Sequence, residues 1–359
     1  MVFLAFMMMG SLAQAEVAEL SNQTQRFYVL WNQYVASISA HRLQKGCHPR
    51  WMQASRNVPF RGTILLHHGF TACPDQYEEW GEKELTLAGF DVVLPVMPGH
   101  GREWTGKNND ENDLSGMPNR RNWLRAYSDF VVTLNGLMKE SAGEKIIGGL
   151  SVGAEAAVAG ILADPGLYSR GILLSPFFRY AIPKQGLINT ELNSLKPGFV
   201  DWISNPANPL NGISKIPQSW GKNCEVLERN LGRQGYCHFT LENVSANQRF
   251  GSFLVDHVAK VAELPPIQIV AVENDPVAST DVIGTFFKEA NRAAHGRSQL
   301  CFIQGGANHS LLSRHDSPNE NKFWLNGLLK KITRFVVEAK PIDSKGAVQT
   351  EGGFPACVL

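Results

Sequence analysis

Apolar positions along this chain recur with two periods, and the switches between them mark out most of its elements. Phe27, Leu30, Trp31, Tyr34, Val35 and Ile38 fall at helical spacing, which predicts an amphipathic helix whose aromatic residues pack on the body. From Thr63 onward, short apolar runs alternate with helical patterns. The strands are expected at Thr63–His67, Asp91–Val96, Lys145–Leu150 and Gly171–Leu174, and the helices at Gln76–Ala88, Asn122–Lys139 and Ala154–Leu162. Strands separated by helices predict right-handed βαβ units and a mostly parallel sheet with helices on both faces.

The rhythm breaks over residues 176–265, where Pro, Gly, Asn and Trp interrupt several short apolar patches, so an inserted cap is expected there. It resumes with a strand at Ile267–Val272, a helix at Asp281–Ala294, a strand at Gln299–Ile303 and a closing amphipathic helix at Asn321–Glu338. Cys47–Val58 holds one further strand at most, which implies a sheet reduced at that edge. The expected division is therefore 1–15 signal peptide, 16–62 N-terminal helical segment, 63–175 first part of the core, 176–265 cap, 266–340 second part of the core, and 341–359 a loose tail. The signal peptide rests on the apolar run Val2–Leu12 followed by Ala13-Gln14-Ala15, an A-x-A cleavage pattern that makes Glu16 the mature N-terminus and predicts export to the periplasm or the medium. That run is too short to span a bilayer, which takes about 20 residues.

Composition narrows this picture without changing it. With 359 residues, 43% hydrophobic and 19% charged, the chain can bury one large α/β core. A net charge of +1 with scattered basic residues gives no field that would recruit nucleic acid. Six cysteines fit an oxidising compartment. The expected pairs are Cys224 with Cys237, which share one polar segment, and Cys47 with Cys73, which flank the first strong strand. Cys301, inside an apolar run, is expected to be a buried thiol. No His, Cys, Asp or Glu spacing reads as a metal site, and no cofactor is implied.

The chemistry begins at Gly149-Leu150-Ser151-Val152-Gly153, a G-x-S-x-G turn between an apolar strand and an Ala-rich helix. A serine in a strained strand-to-helix turn leaves no space for side chains two positions either side, so glycine is expected at both. The turn puts Ser151 at a helix N-terminus, where backbone N–H groups and the helix dipole favour developing negative charge. Three fixed positions in a chain with 33 glycines also arise by chance, so the turn needs partners. In open parallel sheets, reactive groups gather in loops at the carboxyl ends of the strands. Those loops carry His67-His68-Gly69-Phe70, Pro98-Gly99-His100-Gly101, Ser151, Glu273-Asn274-Asp275-Pro276 and Gly305-Gly306-Ala307-Asn308-His309-Ser310. One serine, one acid and one histidine thus fall at three strand ends. Asp281 rivals Asp275, but it follows Ser279-Thr280 at the start of a helical run and suits a helix N-terminus better. His68 and His100 are read as structural loop histidines, and Glu155 as solvated or paired.

The set of strand-end motifs, in the order Ser, Asp, His, resembles the α/β-hydrolase fold superfamily, and within it the capped monoacylglycerol-lipase-like and carboxylesterase-like serine hydrolases. The resemblance covers about Thr63 to Glu338. It implies an α/β-hydrolase fold with an inserted cap, Ser151 as nucleophile, His309 as general base, Asp275 as the orienting acid, and the N–H groups of Phe70 and Val152 as the oxyanion hole. It also implies hydrolysis of small-molecule carboxylic esters with small to medium acyl chains, monoacylglycerol among the candidates. Cap residues such as Phe177, Phe178, Leu187, Phe199, Trp202 and Trp220 read either as acyl-chain contacts or as the cap's own core. An acyltransferase or a serine peptidase would use the same three residues, and a silent binding protein would have lost one of them. One departure from the familiar pattern is Ala154-Glu155 after the turn, which brings a carboxyl close to the nucleophile.

Overall fold

Apolar runs with no polar face become strands buried on both sides, and their register brings one edge of the sheet to a common level. The computed structural model describes residues 24–102, 116–181, 197–216, 218–219, 235, 237–304, 309–312, 324–342, 344–349 and 355–357. The strands are β1 (Arg50–Met52), β2 (Gly62–His67), β3 (Phe90–Leu94), β4 (Glu144–Leu150), β5 (Arg170–Leu174), β6 (Gln218–Ser219), β7 (His238–Phe239), β8 (Ile267–Val272), β9 (Gln299–Ile303), β10 (Ser344–Gln349) and β11 (Pro355–Cys357). Nine form one sheet in the order β1-β3-β2-β4-β5-β8-β9-β11-β10, and β6 pairs with β7 apart from it. From β3 to β11 the pairing is parallel, with β1 and β10 antiparallel at the two edges. Every residue of β2 and β8 is buried, as a parallel strand covered on both faces requires.

The register sets the site. His67 pairs with Gly149, Leu150 with Leu174, and Val272 with Ile303, so the carboxyl ends of β2, β4, β5, β8 and β9 finish together. The chain winds one way from β2 to β3 and the other way from β4 to β9, which opens a crevice at the carboxyl ends where the order reverses. This is the expected α/β-hydrolase arrangement, a mostly parallel sheet between helices.

The helices follow the sequence with small shifts. Residues 24–39 form α1, with Phe27, Trp31 and Tyr34 buried. Tyr34 Oη donates to the Val96 carbonyl and accepts from the Val96 N–H, both at 2.9 Å. Leu30, expected on the packed side, is 36% exposed, because it lies at the edge of the face that the three aromatics occupy. The helix expected at Gln76–Ala88 is three joined turns instead, a 3₁₀ turn Pro74–Tyr77, an α turn Glu78–Trp80 and a π turn Gly81–Leu85. Further helices are α2 (Trp123–Lys139), α3 (Val152–Ala163), α4 (Pro197–Ile203), α5 (Asn211–Ser214), α6 (Leu241–Val258), α7 (Thr280–Ala293) and α8 (Leu325–Glu338). Between β5 and β8, where the cap is expected, the described elements are α4, α5, the β6–β7 pair and α6. Thr240 and Asn243 close a capping box at the start of α6, and Arg249 of α6 binds Asp201 of α4 through Nε and Nη2 at 2.7 and 2.9 Å.

Two expectations at the chain's end are corrected. The described residues of 341–359 do not form a loose tail: β10 and β11 extend the sheet, the Ile342 N–H donates to Gln268 Oε1 at 3.0 Å, and Ala356 pairs with Phe302. Cys301 is not a free thiol but is joined to Cys357, with Cα atoms 4.9 Å apart. A three-residue strand leaves too little period to read, and the bond that holds it joins positions 56 apart in sequence. The Cys47–Cys73 pair is formed as expected. Cys237 is also disulfide-bonded, while Cys224 and the proposed signal segment 1–15 lie outside the described residues. Among the described residues, no helix is long and apolar enough to cross a membrane.

Candidate active site

Ser151 sits in the elbow between β4 and α3 with φ 59° and ψ −120°, a region L-residues rarely adopt. Sterics explain its glycines. A Cβ on Gly149 would run into the Gly153 carbonyl, and a Cβ on Gly153 would run into the carbonyls of His67 and His68. The bend is held from both sides: the Ser151 N–H donates to the Leu174 carbonyl at 2.9 Å, and the Ser151 carbonyl accepts from Ala154 and Phe177. The Val152 N–H is one of the first-turn donors that have no carbonyl partner within the helix.

Around the elbow the other candidates converge. Asp275 leaves β8 just after Asn274, whose φ is 58°, and its side chain is fully buried. Its Oδ1 accepts from the N–H groups of Val277 and Ala278 at 2.8 and 3.0 Å, and its Oδ2 lies 2.7 Å from His309 Nδ1. Those contacts fix the imidazole's tautomer. A carboxylate only accepts, so Nδ1 carries the proton and Nε2 is left to accept from Ser151 Oγ at 2.8 Å. The expected Ser151, Asp275 and His309 are thus brought together, from positions separated by as many as 158 residues. Asp281 instead lies in the first turn of α7, where its charge suits the helix N-terminus.

The loop after β2 passes beside the nucleophile. A Cβ on Gly69 would lie 3.5 Å from Ser151 Cβ, and a tight turn with Thr71 at φ 57° follows it. Phe70 packs edge-on against Phe239 of β7 and against His100. The loop histidines are structural, as read. His68 Nδ1–H donates to the Gly69 carbonyl and Nε2 accepts from the Met97 N–H, both at 2.9 Å. Burial, and the nearby His100, hold His68 well below the usual imidazole range. Burial likewise lowers His67 to about 3 and His100 to about 4. These rings stay neutral.

Two features depart from what the sequence predicts. Gln76 is buried in the 3₁₀ turn after this loop, with its amide bridging Gly69 and Ser310. Glu155, read as solvated or paired, is neither: it is fully buried with no hydrogen-bond partner for either oxygen, and burial raises its carboxyl well above the ordinary value. The reason is its helix. VGAEAAVAGILA has no polar face, and a helix apolar all round is enclosed on all sides. Of the apolar residues expected in the cap, Phe177 and Phe178 are core, Trp202 is 51% exposed, and the side chains of Leu187, Phe199 and Trp220 lie outside the described residues. Among the described residues, no three His, Cys, Asp or Glu side chains are grouped to hold a metal ion.

The family described as serine aminopeptidase, S33 (Hydrolase_4) matches residues 59–314. No curated relative matches the chain. Among solved structures, a soluble variant of monoglyceride lipase from Saccharomyces cerevisiae superposes with a TM-score of 0.60 at 13% identity, over 80% of this chain and 90% of that one. A metagenome-derived lipolytic enzyme described with LipS and LipT gives 0.55 at 15% identity, over 82% and 99%. The monoacylglycerol lipase of Paleococcus ferrophilus gives 0.54 at 14% identity, over the same shares. At these identities the likeness establishes the fold.

Proposed function

This chain belongs to the serine aminopeptidase S33 family of hydrolases, and on that premise we propose that it is a serine hydrolase of carboxylic esters with small to medium acyl chains, monoacylglycerol among them. The observation that carries the reading is the pair of contacts at His309, 2.7 Å to Asp275 and 2.8 Å to Ser151. The lipolytic names of the structural neighbours support an ester as the scissile bond.

Each atom then has a task. His309 Nε2 takes the Ser151 hydroxyl proton as Oγ bonds to the acyl carbon, while buried Asp275 stabilises the imidazolium that forms. The carbonyl oxygen becomes an oxyanion, held in this reading by the N–H groups of Phe70 and Val152. The tetrahedral adduct collapses, His309 gives the proton to the departing alkoxide, and an alcohol leaves. Water, deprotonated by His309, then attacks the acyl-enzyme, the bond to Oγ breaks, and Ser151 regains its proton as the acid departs. Export belongs to the same proposal, supported by the Ala13-Gln14-Ala15 pattern and by the disulfides Cys47–Cys73 and Cys301–Cys357.

The family description favours one second reading, hydrolysis of an N-terminal peptide amide by the same three residues. Ser151→Ala is expected to lower p-nitrophenyl butyrate turnover by about 10³-fold or more and to abolish fluorophosphonate labelling. Wild-type turnover in that variant overturns the proposal. An aminoacyl p-nitroanilide cleaved faster than every ester in a chain-length panel replaces it with the peptidase reading.

A further inference from the structure

Gln76 is buried, carries no charge and belongs to no recognised motif, yet its two amide atoms touch two loops that no strand pairing joins. The loop after β2 carries Gly69 and Phe70, and the loop after β9 carries His309 and Ser310. Within the sheet β4, β5 and β8 separate those two strands, so Gly69 and Ser310 are linked by this side chain and not by strand pairing. Gln76 Oε1 accepts the Gly69 N–H at 3.0 Å, and Gln76 Nε2 reaches Ser310 Oγ at 3.4 Å. The amide can face only one way, because Gly69 offers a donor and so takes the oxygen, leaving the NH₂ for Ser310.

The turn that presents Gln76 is itself anchored. Pro74 opens it, the Gln76 N–H donates to the Cys73 carbonyl at 2.9 Å, and Cys73 is bonded to Cys47. Next to it, Asp75 pairs with Arg50 at 2.9 Å and its N–H donates to the Gly46 carbonyl. A side chain on so fixed a base can hold one loop at a set distance from another.

We propose that Gln76 is a positioning residue that holds the Phe70 amide and the His309 ring in register across Ser151, so that proton transfer and oxyanion binding occur in one geometry. The proposal rests on the assignment of Ser151, His309 and Phe70 above. Oxyanion donors act only over a narrow range of distance, and losing one costs about 10²- to 10³-fold in kcat. A donor displaced rather than lost should cost less.

The test compares Gln76→Leu, Gln76→Glu, Ser310→Ala and the Gln76→Leu/Ser310→Ala pair in kcat and KM for p-nitrophenyl butyrate, in the rate of fluorophosphonate labelling, and in Tm. Gln76→Leu is expected to lower kcat and the labelling rate about 10- to 100-fold, with KM changed less than about threefold. Gln76→Glu keeps the acceptor for Gly69 and can accept from the Ser310 hydroxyl, so its kcat should stay within about fivefold of wild type. The pair should be no slower than Gln76→Leu alone, because both changes break one bridge. A Gln76→Leu protein with wild-type kcat overturns the proposal, as does an equal loss in the Leu and Glu variants, which would mark a packing role. If Gln76→Leu does not fold, the Glu and Ser310→Ala variants decide: Ser310→Ala at the wild-type rate, or Gln76→Glu as slow as a misfolded control, overturns it. Failure of the underlying assignment looks different, since Ser151→Ala would then match wild type whatever stands at position 76.

Discussion

The loops at the carboxyl ends of the core strands and the segment that crosses above them follow opposite rules. In the loops each working side chain is held more than once. Ser151 is fixed by a strained backbone, two glycines with no room for a Cβ and three backbone hydrogen bonds, and Asp275 accepts two N–H groups besides its bond to His309. Between β5 and β8 the described helices α4 and α5 are short and leave Trp202, Leu210, Ile213 and Ile216 about half exposed. α4 is held to α6 by Asp201 with Arg249, and a small buried cluster of Val200, Ile203, Phe239, Leu241 and Val244 forms around the Cys47–Cys73 disulfide, while α6 itself packs Phe250, Leu254 and Val258 into the main core. On the proposed function, the loops would carry the bond-breaking geometry and the segment above them the choice of substrate, and each can be perturbed alone.

The largest perturbation belongs to the loops. Asp275→Asn preserves the side chain's shape and one acceptor for Val277 and Ala278, but it offers His309 an amide in place of a carboxylate. The ring then loses the partner that fixes its tautomer and stabilises its charge. A fall in kcat of about 10²- to 10⁴-fold is expected with KM little changed, measured on the ester that the wild type turns over best. If the loss appears only in KM, then Asp275 serves binding, and the contrast between loops and cap collapses.

The three residues at the heart of the loops were legible because each carries a local signature: glycines around the serine, a strand end before Asp275, and a Gly-rich approach before His309. Asp275 and Asp281 could be told apart because a helix N-terminus accounts for the second. Gln76 could not be read, since one polar residue after a proline has no period and its partner lies 234 positions away. The edge strand β11 is too short for alternation to show. Glu155 is a different failure. The lack of a polar face on Val152–Ala163 is visible in the sequence, but a carboxylate in a first turn is ordinarily solvated, and here the pattern around it prevails.

Glu155 therefore gives the next sharpest test of how tightly the loop region is built. It lies under the stretch that ties Ser151 to the acid: a Cβ on Gly251 would meet both Glu155 Oε1 and the Phe178 backbone, the Phe177 N–H donates to the Ser151 carbonyl, and the Ala181 N–H donates to the Val277 carbonyl. Burial, and after it Glu155, raise the hydroxyl of the half-buried Tyr180 above its ordinary value. The carboxyl is raised on folding, so the stability tied to its protonated form is complete below the unfolded value near 4.5 and is lost as pH rises toward the folded value. His67 and His100 run the other way, their stability being present above 6.5 and lost as pH falls toward about 3 and 4. Glu155→Gln should thus raise Tm relative to wild type by an amount that grows as pH rises above 4.5 and vanishes below it. Parallel Tm curves for the two proteins across that range would show that the carboxyl does not titrate where it is buried.

The smallest effect is expected above the loops. Trp202 and Ile213 are 51% and 45% exposed, and side chains in that state contribute little to burial. Trp202→Ala and Ile213→Ser should each change stability by about 0.5 kcal/mol or less, and kcat for a butyryl ester should stay within about twofold of wild type. If exposed apolar groups matter to this protein at all, they matter to a long acyl chain, so the ratio of kcat/KM for a dodecanoyl over a butyryl ester is where a change should register. A clear fall in Tm would show that these side chains support the fold, and that the cap is bound as tightly as the loops beneath it. An unchanged Tm with a lower long-chain ratio would instead place substrate choice on a surface whose residues the catalytic geometry does not need.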